Sequence, residues 1–141
     1  MLRRDYWVGL FCFEAYNESL VLEVSSLIGH PSWRFDKMDI SDGKMSIKLR
    51  DGTHKIIPLQ DLAEHVKPGC KACADFTAKL SDISVGSIGS TPNMSTVIVR
   101  TEEGMGLFNI AEEKGLLEVC DDVNVEAINK AGSLKIKKNG I

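Results

Sequence analysis

Two cysteines three positions apart, Cys70 and Cys73, stand directly behind Pro68-Gly69. A C-x-x-C spacing lets two thiolates reach one metal ion or one iron–sulfur cluster from a single tight turn. The same spacing serves zinc knuckles and thioredoxin-type redox turns. The thioredoxin arrangement opens a helix directly after a strand, whereas this pair follows a short amphipathic stretch and Lys-Pro-Gly, which disfavours it. A metal centre needs about four ligands. Cys12, at the end of an apolar run, is the best third. Cys120 is weaker, because Asp121 and Asp122 beside it oppose a thiolate, and it reads as a partly buried structural thiol. Zinc held by Cys12, Cys70, Cys73 and Cys120, or with His65 as a ligand, is the alternative use of these side chains. His30 and His54 lack ligand spacing.

Downstream of the cysteines, Gly86-Ser87-Ile88-Gly89-Ser90 offers small residues where backbone could closely approach a ligand. On composition alone this run equally describes a hairpin turn. It is not a phosphate loop of the P-loop or dinucleotide-binding kind, since a third glycine and an immediately following helix are absent.

These residues must be placed by a chain of 141 residues, 43% of them hydrophobic, which is enough to bury a core without staples. Seventeen basic against twenty acidic residues give a net charge of −3, so there is no electrostatic footprint for nucleic acid or an anionic membrane surface. No apolar run approaches the roughly 18 residues of a membrane span, and direct membrane insertion is not expected. Arg3-Arg4 precedes an apolar run, but without a small-residue cleavage site, so a cytoplasmic protein is expected. Four cysteines in such a compartment favour metal or redox chemistry over disulfides.

Tyr6 to Phe13 is almost wholly apolar and predicts a strand covered on both faces. Asn17 or Ser19 caps a helix through Leu20, Val24, Leu27 and Ile28, which Gly29-His30-Pro31 stops. Three short strands follow, Arg34 to Ile40, Met45 to Leu49 and His54 to Ile57, with Asp-Gly turns between them, a three-stranded meander. Leu59 to Val66 is a short helix or turn, and Ala74 to Leu80 a further helical turn. Strands are expected at 82–88 and 95–100, helices at 105–117 and 123–130, and Lys135 to Lys138 as a solvated tail. The fold class is therefore α+β, a mixed β-sheet with flanking helices and a small antiparallel meander, in one domain over residues 1–141.

Six blocks carry a family resemblance: Gly9-Leu-Phe-Cys12, Lys37-Met-Asp-Ile40, Ile57-Pro-Leu59, Pro68-Gly-Cys-x-x-Cys-x-Asp75, Asp82-Ile-Ser-Val-Gly-Ser-Ile-Gly-Ser90 and Ser95-Thr-Val-Ile-Val-Arg-Thr101. In this order and spacing they resemble the C-terminal domain of the coenzyme F420-reducing hydrogenase and dehydrogenase beta subunit family. The resemblance implies an iron–sulfur flavoprotein, in which a 4Fe-4S cluster passes single electrons to FAD and the flavin delivers a hydride to coenzyme F420. It implies cluster ligation by Cys12, Cys70 and Cys73, with Asp75 orienting the knuckle. It implies a flavin contact from the segment holding Gly86, Ser87, Gly89 and Ser90, together with Ser95 and Thr96. Met94 departs from the bulky aromatic usual there. Members are about twice this length, so a fragment is expected, lacking the N-terminal domain that completes the pocket. The implied partners are that domain and the catalytic and electron-transfer subunits of a hydrogenase or dehydrogenase.

Overall fold

The structure is a computed structural model and describes residues 5–140. In chain order the elements are β1 (Val8–Leu10), α1 (Leu20–Ile28), β2 (Phe35–Ser41), β3 (Lys44–Leu49), β4 (His54–Pro58), β5 (Ile83–Gly86), β6 (Thr96–Val99), α2 (Glu102–Glu113) and α3 (Val125–Lys138). Short 3-10 turns cover Ser32–Arg34, Leu59–His65 and Pro68–Ala72. The strands form one mixed sheet, β1-β5-β6, and one antiparallel sheet, β2-β3-β4. This is the α+β class, mixed sheet and meander expected. Contacts gather into two compact units, Glu14–Lys71 and a unit made of Met1–Phe13 with Ala72–Ile141.

The Glu14–Lys71 unit is built on the meander. Alternation along β3 turns Met45, Ile47 and Leu49 to one side, and all three are buried. Leu20 and Val24 from α1, Ile57 from β4 and Leu62 complete a continuous apolar core. The β2–β3 turn is set by Asp42 and Gly43, both at positive φ, the conformation a two-residue hairpin requires. Helix α1 starts at Ser19, whose hydroxyl bonds Asn17 Oδ1 and so does not cap the helix amides, and it ends on Gly29 in the left-handed region.

In the Met1–Phe13 and Ala72–Ile141 unit, β1 runs parallel to β5 and β6 antiparallel to it, aligning Val8 with Ile83 and Ile83 with Val99. Here several expectations give way. The apolar run from Tyr6 to Phe13 yields only a three-residue edge strand, and Val8 and Leu10 are 57% and 69% exposed. An apolar run shows that a strand is suited to cover on both faces, not that the same chain supplies the cover. Residues 74–80 form no helix; Ala78 takes a positive φ instead. Helix α2 starts three residues earlier than expected, because Thr101 Oγ1 caps it by accepting from Gly104 N–H at 3.0 Å. Gly104 fits inside the first turn, where a Cβ would lie 2.8 Å from the Asp82 carbonyl oxygen. Helix α3 runs through the stretch read as a solvated tail, and Lys135 within it is buried.

Candidate cofactor site

None of the four cysteines is in a disulfide; Cys12 and Cys120 are exposed, and Cys70 and Cys73 half-buried. Cys70 lies in the 3-10 turn that Pro68-Gly69 opens, with its N–H on the Lys67 carbonyl. Its Sγ accepts the Ala15 N–H at 3.3 Å, and a backbone N–H aimed at sulfur is the contact that steadies a thiolate. Cys70 belongs to the Glu14–Lys71 unit, whereas Cys12 and Cys73 belong to the other. Cys12 follows β1 and donates its N–H to the Phe76 carbonyl at 2.9 Å, so the two cysteine segments of that unit are joined by main-chain bonding. Among the described residues, no group of three or more His, Cys, Asp and Glu side chains is arranged to hold a metal ion.

The carboxylate of Asp75 bonds forward, Oδ2 accepting from Lys79 N–H at 2.8 Å, and does not reach back to the cysteine knuckle. Cys73 Sγ donates instead to the Asp75 main-chain carbonyl at 3.6 Å. Asp75 Oδ1 is buried without a partner. An orphaned acceptor of this kind marks a place where the protein alone does not complete the bonding. His65, the alternative ligand, has Nδ1 within 2.7 Å of Ser19 Oγ and Nε2 4.0 Å from Glu23.

The glycine and serine segment divides between packing and open space. A Cβ on Gly86 would lie 2.1 Å from the Phe11 ring, and one on Gly89 would lie 2.8 Å from Ile128, at φ +93°. Both glycines are therefore required by neighbouring side chains of the same unit. Thr96 is buried, with Oγ1 donating to the Ile88 carbonyl, and Ser90 Oγ closes its own loop onto the Ser87 and Met94 carbonyls.

Ser90, beside its loop-closing bonds, and Ser95 border a cleft of about 840 Å³. Its floor is one face of the mixed sheet, Val8, Ile83, Val85, Val97 and Val99, which the strand register aligns. One wall is α2, through Met105, Leu107, Phe108 and Ala111, and the stretch 117–123, including Cys120, closes it. Small-molecule sites run to about 300–1,000 Å³ and are mostly apolar with a few polar groups. The cleft thus has an apolar floor and wall wide enough for a planar ring system, and a polar rim of Ser90, Asn93 and Ser95 together with the acidic Glu118, Asp121 and Asp122.

Behind the sheet, Ser84 and Ser81 share a hydrogen bond, and Arg100 reaches both Ser84 Oγ and the Thr77 carbonyl. Asp82 accepts from Trp7 N–H at 2.8 Å and Thr101 Oγ1 at 2.7 Å, and these bonds hold its carboxyl below the ordinary range. Asp82 thereby ties the segment before β1 to the cap of α2, fixing floor to wall.

Sequence reasoning did not find the wall from α2 and 117–123. Leu107 and Phe108 of α2 and the following Leu117 are apolar in the sequence, but an apolar pattern cannot tell a core from a cleft. It also missed Lys135 and Asn139, whose side chains donate to the Cys12, Asp75 and Cys73 carbonyls.

Residues 1–125 match the family described as the C terminus of the beta subunit of coenzyme F420 hydrogenase/dehydrogenase. The chain is similar to the coenzyme F420-dependent sulfite reductase of Methanocaldococcus jannaschii, at 37% identity over 134 residues, 95% of this chain and 20% of that protein. It is also similar to the coenzyme F420 hydrogenase subunit beta of Methanococcus voltae, at 34% identity over 137 residues, 94% of this chain and 49% of that subunit. Among solved structures, a chain of the xenon-derivatized F420-reducing NiFe hydrogenase complex from Methanosarcina barkeri aligns with a TM-score of 0.84 and 31% identity, over 96% of this chain and 48% of that one. The chain spans about half the length, or less, of these relatives.

Proposed function

Since this chain belongs to the family formed by the C-terminal part of coenzyme F420 hydrogenase/dehydrogenase beta subunits, we propose that it forms one wall of the iron–sulfur and flavin site of an F420-linked oxidoreductase subunit. A 4Fe-4S cluster held there would supply single-electron transfer, and FAD would join two such electrons and one proton into the hydride that coenzyme F420 accepts or gives up. Cys12, Cys70 and Cys73 contribute thiolate ligands, and a further ligand comes from outside these three. The segment of Gly86, Ser87, Gly89 and Ser90, with Ser95 and Thr96, is the flavin-facing edge. Ser95 orients the ring system by hydrogen bonding, while Ser90, Gly86, Gly89 and Thr96 hold the loop that lines the cleft beside it. The valines of β5 and β6 and the apolar face of α2 exclude water from the ring, which protects a reduced flavin from side reactions.

The observation that carries this reading is the apolar cleft bordered by Ser90 and Ser95, with its floor laid by β5 and β6 together with Val8 of β1, the strand that leads into Cys12. The proposed partners are an N-terminal domain that completes the pocket and the catalytic and electron-transfer subunits of a hydrogenase or dehydrogenase. Among the described residues no helix is long and apolar enough to cross a membrane.

Anaerobic reconstitution of the full-length protein with iron, sulfide and FAD, followed by metal analysis and absorption spectroscopy, tests the proposal. Bound flavin and a cluster are expected, with the cluster lost in Cys70→Ser. Stoichiometric zinc in place of a cluster would establish a zinc-stapled interaction domain and overturn the redox reading.

A further inference from the structure

Lys135 is 2% exposed, and a lysine gives up its water only where acceptors replace it. Its Nζ donates to two main-chain carbonyls far apart in sequence, Cys12 O at 2.8 Å and Asp75 O at 2.7 Å. Four residues on, the distance of about one helical turn, Asn139 Nδ2 donates to Cys73 O at 2.8 Å. The end of α3 thus touches both cysteine segments of its own unit. Phe76, bonded through its carbonyl to Cys12 N–H, packs against the rings of Phe11 and Phe13 at centroid distances of 5.4 and 6.2 Å. Lys138 Nζ lies 5.7 Å from the Phe13 ring centroid. Among the described residues no salt bridge includes Lys135; its Nζ bonds are to carbonyl oxygens, one of them that of Asp75, whose carboxyl Oδ1 is buried without a partner.

We propose that Lys135 is a positioning residue for the cysteine site: its buried ammonium locks the Cys12 and Cys73 segments together and holds a positive charge against them, favouring the reduced state of a cluster bound there. The charge effect rests on the cluster reading above; the clamp does not. Reduction by dithionite places one electron on the cluster. The fixed positive charge therefore stabilises the more negative state and raises the potential. A purely structural lysine would hold the segments without this effect.

The experiment uses the full-length protein as wild type, Lys135→Met and Lys135→Arg. In cluster-free protein, amide hydrogen exchange over residues 9–13 and 72–77 is expected at least tenfold faster in Lys135→Met and unchanged over 45–57. Equal rates overturn the clamp whether or not a cluster binds. In reconstituted protein titrated with dithionite, the reduction equilibrium constant is expected to fall about tenfold in Lys135→Met, a shift of about 59 mV for a one-electron couple, with Lys135→Arg restoring most of it. An unchanged potential with the cluster loaded overturns the proposal. If Lys135→Met does not fold, Asn139→Ala carries the test, with faster exchange expected over 72–75 alone and no change there overturning the clamp. Wild-type protein that binds no cluster counts against the functional reading and leaves the exchange result to judge the clamp.

Discussion

The two units solve burial differently. In Glu14–Lys71 the buried residues are seven aliphatic and methionine side chains in one continuous cluster. Among the described residues of the other unit, the buried apolar ones are Phe76, Ile83 and Ile128, alongside four buried polar ones, Ser81, Ser84, Thr96 and Lys135. There the apolar sheet face borders a cleft. A unit that spends its valines on a cleft floor and its interior on serines and a lysine is held by specific hydrogen bonds more than by apolar volume. Such an interior is costly when any partner is lost, since buried polar groups need all their acceptors. The Glu14–Lys71 unit holds the continuous apolar core and also carries Cys70, while the mixed-sheet unit carries the cleft, Cys12 and Cys73.

This contrast is sharpest for core truncation. Ile47→Ala, in the meander core, is expected to cost about 2–5 kcal/mol. Val97→Ala, at a cleft-floor position that is 36% exposed, should change stability by only about 0.5 kcal/mol. Equilibrium urea unfolding of the two variants measures the difference, and equal losses would break the distinction between core and cleft floor.

A smaller effect is expected at Gly86. Adding a methyl group against the Phe11 ring is an overpacking substitution, and Gly86→Ala should destabilise by about 1–3 kcal/mol. If instead thermal unfolding is unchanged while flavin affinity falls, the glycine serves the ligand directly and packing is not its reason.

The smallest effect concerns acid. Asp82, held low first by the Trp7 N–H and then by Thr101, contributes stability that is fully present above the ordinary carboxyl value of 3.8 and fades as pH falls through the folded-state value. Wild type and Asp82→Asn should therefore differ at neutral pH and converge in strong acid. Asp51 in the meander unit, held low mainly by bonds from Thr53, follows the same sign. A difference that grows on acidification would contradict the assignment for either residue.

Much of the scaffold was legible in the sequence. The alternation of Met45, Ile47 and Leu49 and the Asp42-Gly43 turn are local signals, and local signals survive into the fold. The functional unit was less legible, for reasons visible at three places. The apolar run at Tyr6 to Phe13 indicates a strand suited to two-sided cover but not what covers it. Gly86 reads as room for a ligand, while the group that needs the room is Phe11. Lys135-Ile-Lys-Lys138 reads as a solvated charge run because its acceptors are main-chain carbonyls, which no side-chain pattern reports. The cysteine spacing pointed to Cys70 and Cys73, but the helix that clamps the Cys73 segment had no motif to announce it.

On the proposed function, FAD is seated in the cleft of the mixed-sheet unit and not against the strands of the meander. Amide hydrogen exchange of the full-length protein, with and without FAD, tests it most directly. Protection is predicted over 90–99, 105–111 and 117–123, with none over 45–57. Protection confined to the meander strands, or none in the three cleft segments despite bound flavin, would contradict it.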